Sequence, residues 1–229
     1  MSLISKVLNQ CRKPSGWFGR FVLWDMNRHH ANVTNWGLQH LAIAQHDTIL
    51  DVGCGGGRTV HKLAGIATEG KVYGIDVSEE SVSVSRRSNT RWIRLGRVDI
   101  RHGSVSCLPF CEHMFDLVTA VETHFFWPDL VADMQEVLRV LKPGGKLIII
   151  AEVYKGGKYN KVLQKLAGWW NLPLHSGTEY RELFARAGYA AIQICEHDDK
   201  GWICGIGEKP SEVPTGEEST GRDDERGIE

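Results

Sequence analysis

A chain of 229 residues, 42% hydrophobic and 24% charged, is sized and composed for one soluble α/β domain and cramped for two. The net charge of −1 is unevenly spread: residues 208–229 hold eight acidic and three basic side chains, leaving about +4 elsewhere. That surplus is far from the basic stripe of a dedicated nucleic-acid binder.

Residues 1–47 are rich in aromatics and histidine, including Trp17, Phe18, Phe21, Trp24, Trp36, His29, His30, His40 and His46. Apolar spacing through Phe21, Trp24, Leu38 and Leu41 predicts one or two short helices outside the main sheet, a segment able to form a lid. From Thr48 the pattern alternates. Strands are predicted at 48–52, 71–75, 97–101, 115–121 and 146–151, and helices at 57–66, 79–89 and 129–141. This alternation predicts an α/β fold, a doubly wound and mostly parallel sheet with helices on both faces. The last of those helices must stop at Lys142-Pro143-Gly144-Gly145. Residues 154–175 are irregular, and Thr178 opens a helix to Ala187 that Gly188 closes. Strands at 189–196 and 201–207 are too close for a crossover helix, so they form an antiparallel hairpin and bring the sheet to seven strands. Beyond Pro210 the composition favours a disordered acidic tail. The expected division is therefore 1–47, a domain at 48–208, and a tail at 209–229.

Six cysteines (Cys11, Cys54, Cys107, Cys111, Cys195 and Cys204) form no CxxC pair and no zinc spacing, so no metal site and reduced thiols are expected. Residues 1–24 lack the apolar core of a secretory leader. The longest apolar run, 147–151, is far too short to span a bilayer. A cytoplasmic location without stable membrane insertion is the expectation.

The stretch Ile49–Thr59, Ile-Leu-Asp-Val-Gly-Cys-Gly-Gly-Gly-Arg-Thr, reads as strand, glycine turn and helix. There a chain passes close to a ligand and points helix N–H groups at negative charge. Six residues counted from Gly53 or Gly55 reach Arg58 or Val60, so the dinucleotide spacing G-x-G-x-x-G fails. The spacing that does fit is D-x-G-x-G-x-G, through Asp51, Gly53, Gly55 and Gly57.

With Val72-Tyr73-Gly74-Ile75-Asp76, Gly103-Ser104-Val105-Ser106-Cys107-Leu108-Pro109-Phe110, Phe115-Asp116-Leu117-Val118 and Glu136–Gly145, the chain resembles the class I S-adenosylmethionine-dependent methyltransferases over residues 48–151. The stretches around Asn27–Leu38 and Ala120–Asp129 resemble the small enzymes near the ubiquinone and menaquinone C-methyltransferase branch. The resemblance implies a Rossmann-like methyltransferase fold with S-adenosyl-L-methionine as cofactor. It implies a turn built on Asp51, Gly53, Cys54 and Gly55, with Asp76 and the adjacent Val77 at the ribose. It places Gly103, Ser104 and Val105 at the adenine, where many relatives carry Asp in the place of Ser104. Glu122 completes the implied cofactor contacts.

Methyl transfer is an in-line displacement at the carboxyl ends of the strands, so residues just beyond strands four and five are the first candidates. Glu122 and His124 are the catalytic candidates, and Asn27, His30, Trp127 and Glu152 face the acceptor. The adenine-type amino-methyltransferase signature N/D-P-P-Y/F is absent; the chain reads Val121-Glu122-Thr123-His124. A small-molecule acceptor is expected. An RNA or protein methyltransferase, using the run Arg86, Arg87, Arg91, Arg94, Arg97 and Arg101 for docking, is one alternative. A non-catalytic cofactor-binding protein is the other. Helical spacing of the first four arginines favours a solvated face.

Overall fold

The computed structural model describes residues 30–156 and 172–211, together with Lys165 and Gly168. Asn27 and the acidic tail lie outside the described residues. A helix α1 (Ala31–Leu38) precedes β1 (Thr48–Val52), α2 (Arg58–Ile66), β2 (Lys71–Asp76), α3 (Glu79–Ser88), α4 (Thr90–Arg94) and β3 (Val98–His102). Then come β4 (Phe115–Val121), a 3-10 turn (His124–Phe126), α5 (Leu130–Val140), β5 (Leu141–Ala151), α6 (Gly177–Arg186), β6 (Ala190–His197) and β7 (Trp202–Glu208). The seven strands run in the order β3-β2-β1-β4-β5-β7-β6. Only the pairings made by β7 are antiparallel. This is the expected doubly wound sheet, with its switch point between β1 and β4.

Period-two alternation builds both cores from one sheet. Leu50, Val118 and Ile149 face a cluster with Met134, Val137 and Phe184, while Ile49, Leu117 and Ile148 face Val60, Leu63 and Val82. Strands buried on both faces are what a continuous apolar run such as Leu147–Ile150 demands. α1 docks through Gly37, where a Cβ would collide with Ile150 of β5. Capping is local and legible. Ser78 accepts the Ser81 N–H at 3.3 Å to open α3, Asp129 accepts two amides at 3.1 Å to open α5, and Ser176 with Glu179 forms a capping box at α6.

The structure refines the sequence reading in several details. β5 begins at Leu141 rather than 146, because Lys142–Gly145 is a bulge within the strand and not a loop before it. Gly144 takes φ 77°, and a Cβ on Gly145 would press on the Phe115 and Lys142 carbonyls. The last helix opens at Gly177 from the Ser176 cap instead of at Thr178. The first four arginines are exposed, as the helical spacing predicts, but members of the run also reach acceptors within the protein. Arg86 donates twice to the Ile100 carbonyl, at 2.7 and 3.1 Å, and Arg97 donates to the Ala64 and Ala67 carbonyls. Arg101 pairs with Asp99 at 2.9 Å. These guanidinium groups satisfy backbone and carboxylate acceptors around the β2–β3 edge.

Candidate active site

The glycine turn after β1 is shaped by its neighbours. The Gly53 and Cys54 N–H groups both donate to the Ile75 carbonyl, at 2.8 and 3.0 Å, which ties the turn to the end of β2. Gly53 (φ 71°) leaves room for the Thr123 side chain, and Gly57 (φ 80°) leaves room for Ser85 and Asn89. The glycines thus admit protein side chains from other loops as well as bringing backbone close to a ligand. Cys54 points inward, its thiol 3.9 Å from the Ser85 hydroxyl. No side chain caps α2, so its N-terminus keeps the backbone donors and positive end of the dipole for another partner.

Asp76 ends β2 with one carboxylate oxygen accepting the Gly55 N–H at 2.9 Å and the other the Ser78 N–H at 2.8 Å. Each oxygen retains acceptor capacity, so the carboxylate is pre-oriented for hydroxyl donors. Burial raises its pKa, and the two backbone amides oppose that rise. Next to it Val77 is 42% exposed, against Leu95 as the other large apolar side chain so exposed among the described residues. Its carbonyl is held by His102 Nε2 at 3.1 Å. The Gly103 N–H donates to the Asp76 carbonyl at 3.0 Å, and a Cβ there would meet Ile75. Ser104 folds its hydroxyl onto the Ser106 N–H at 3.2 Å, and Val105 is buried. A carboxylate, an exposed apolar side chain and an uncapped helix thus stand together at the carboxyl ends of β1 and β2. This set fits an adenosyl group carrying an amino-acid tail.

Across the switch point the chemistry changes. Asp51 is buried against Thr119, whose hydroxyl donates to it at 2.6 Å, and desolvation lifts its carboxyl to about 7. Glu122, first after β4, holds φ 56°, a left-handed conformation unusual for a residue with a side chain. Its N–H is fixed to the Ile150 carbonyl at 3.0 Å, and one carboxylate oxygen accepts the Glu152 N–H. Burial pushes Glu122 to about 7, His30 draws it down, and the Glu152 carboxylate adds to the rise. His30, at the head of α1, sits 3.5 Å from Glu152. The fold therefore gathers His30, Glu122 and Glu152 from three separate segments.

His124 and Trp127 follow a different course. Both are buried, and His124 shares a hydrogen bond with the Tyr180 hydroxyl from α6. Burial, with His175 nearby, keeps the imidazole neutral by lowering its pKa to about 3, and burial holds the Tyr180 phenol protonated. The phenol therefore donates to Nε2. Nδ1 carries the ring proton and has no partner among the described residues. Thr119, His175 and Tyr180 were not marked by any sequence motif, and Thr123 stood in a quoted stretch without a role, since each matters only through a partner distant in sequence. Among the described residues no group of acids, histidines and cysteines has a metal-holding arrangement, and no helix is long and apolar enough to cross a membrane.

The fold and the site define a doubly wound domain with an adenosyl-type cradle beside the switch point. A sequence profile described as a methyltransferase domain matches residues 50–149. An O-methyltransferase of Penicillium expansum is 32% identical over 158 residues, which is 68% of this chain and 56% of that protein. A demethylmenaquinone methyltransferase of Bacillus mycoides is 37% identical over 102 residues, 44% of this chain and 43% of that one. The chain thus spans about half the length of these curated relatives. The crystal structure of an S-adenosylmethionine-dependent methyltransferase from Aquifex aeolicus superposes with a TM-score of 0.63, covering 77% of this chain and 89% of that one at 21% identity, a likeness of fold. Residues 50–149 thus carry a methyltransferase domain, and in sequence and fold the chain is similar to S-adenosylmethionine-dependent methyltransferases.

Proposed function

We propose that the protein transfers a methyl group from S-adenosylmethionine to a small-molecule acceptor. The observation that carries this reading is Asp76, gripped by the Gly55 and Ser78 amides beside an exposed Val77. Asp76 binds the ribose hydroxyls through its remaining lone pairs. Val77 and the Gly103–Val105 turn line the adenine. The N-terminus of α2 takes the methionine carboxylate, and Asp51 and Glu122 complete the cofactor contacts. When bound, the cofactor supplies an electrophilic methyl on a positively charged sulfur.

Glu122 is the residue placed to receive a proton from the acceptor. One of its oxygens accepts the Glu152 N–H, and among the described residues no hydrogen bond engages the other. His30 and Glu152 line the acceptor side. Trp127 and His124 pack behind them, and His124 positions this wall through Tyr180 rather than moving protons. The names of the O-methyltransferase and demethylmenaquinone relatives support a small organic acceptor over a nucleic acid. So does the commitment of Arg86, Arg97 and Arg101 to internal acceptors.

The test is release of S-adenosylhomocysteine from the purified protein, with phenols, quinols, amines, thiols and an RNA fragment offered in turn. Turnover with one of the small organic classes is expected. Turnover with RNA alone, or cofactor binding without turnover on any class, contradicts the proposal.

A further inference from the structure

The β6–β7 hairpin brings two cysteines together well away from the cofactor cradle. Cys195 of β6 stands directly opposite Cys204 of β7 in the antiparallel ladder. Directly paired residues project from the same face, with Cα atoms about 4.5–5.5 Å apart. That separation lies within the roughly 4.4–6.8 Å that a disulfide requires. Both side chains belong to the apolar cluster that α1 covers, beside Trp36 and Trp202. Cys204 is fully buried, with its thiol 4.0 Å from the Gly37 carbonyl. Cys195 is half-buried and accepts a hydrogen bond from the Gln193 amide at 3.2 Å. Burial, and then the proximity of Cys195, holds the Cys204 thiol far above its ordinary range.

We infer that Cys195 and Cys204 form an oxidisable dithiol that closes to a disulfide when the protein meets a peroxide. Cys195 is the accessible partner and reacts first. Its sulfur attacks one peroxide oxygen, the O–O bond breaks, and the products are a sulfenic acid and one water. The Cys204 sulfur then displaces the hydroxyl, forming the S–S bond and releasing a second water. Two thiols are oxidised and one peroxide is reduced to two waters, so the step needs no other reductant. Cys107 and Cys111, exposed in the loop after β3, act as internal controls because neither lies on a paired strand.

The bond would also reach α1. Closing it removes the Cys204 S–H from the Gly37 carbonyl, near the end of the helix whose head sets His30 beside Glu152.

The experiment exposes the full chain to hydrogen peroxide, blocks remaining thiols and maps tryptic peptides without reduction. Cleavage after Arg186 and Lys200 places the two cysteines on different peptides. A single cross-linked pair, lighter by two hydrogen atoms than its separate peptides and released by dithiothreitol, is expected. It should vanish in Cys195→Ser, a half-buried position that decides the matter even if Cys204→Ser does not fold. Cys195 oxidised while Cys204 keeps its thiol, or either residue joined to Cys11, Cys107 or Cys111, would overturn the inference. Amide exchange of residues 37–39 should be faster in the oxidised protein, and identical exchange in both forms would overturn the link to α1.

Discussion

The two halves of the site hold their carboxylates in opposite ways. On the β1–β2 side, Asp76 is fixed by amides of its own turn and of the adjoining glycine turn. Across the switch point, Glu122 answers to a backbone amide from the end of β5, a second acid and a histidine carried by α1. The first arrangement is written into a short stretch of chain and suits a ligand of constant shape. The second is assembled from residues at 30, 122 and 152, so changing any one segment remodels it. A constant donor and a variable acceptor need this division.

The largest effect that would separate the halves is on the constant one. Gly53→Val should lose about 2–4 kcal/mol of stability, because it forces a branched residue into the left-handed region and into Thr123. Chemical denaturation reads that loss, and a near-neutral result would mean the turn is free to move. On the variable side, Tyr180→Phe leaves the buried His124 Nε2 without its donor and should cost about 1–3 kcal/mol. A loss of turnover in that variant without loss of stability would instead give His124 a direct chemical role.

pH sharpens the contrast further. Asp51 and Glu122 keep their protons up to about 7 in the folded chain, whereas the unfolded chain ionises near the ordinary values of 3.8 and 4.5. Their contribution to stability is therefore present below those ordinary values and is lost as pH rises towards 7. His124 works the other way. Its folded pKa of about 3 against 6.5 means stability is lost as pH falls from 6.5 towards 3. A cation bound beside Asp51 and Glu122 favours their ionised forms, so S-adenosylmethionine should bind several-fold more tightly as pH rises towards 7. S-adenosylhomocysteine, whose sulfur is neutral, should respond less. Calorimetry in two buffers of different ionisation enthalpy counts the protons released. Equal pH dependence for both ligands would place the two acids away from the sulfonium.

Much of the constant half was legible in the sequence. Asp51, the four glycines and Asp76 lie at spacings set by one strand–turn–helix unit and the end of the next strand. Physics that acts over a few residues leaves a local pattern. The reason for the glycines was less visible: Gly53 makes way for Thr123 and Gly57 for Ser85 and Asn89, all distant in sequence. The same holds for the arginines. Helical spacing marked Arg86, Arg87, Arg91 and Arg94 as a solvated face, which they form, but it could not show that Arg86 also reaches a carbonyl 14 residues away. Lys142–Gly145 read as a helix stop, which it is, yet it is also a bulge inside β5, because the pairing with β4 resumes beyond it. The pairing of His124 with Tyr180 joins residues 56 apart, and no spacing rule addresses that distance.

The central claim is that Asp76 holds the methyl donor. Titration of S-adenosylmethionine into the wild-type chain and into Asp76→Ala, followed by calorimetry, tests it directly. Binding to the wild type and at least a tenfold loss in the variant, about 1.4 kcal/mol, are expected, with the fold intact. Equal affinity in the two proteins would contradict it.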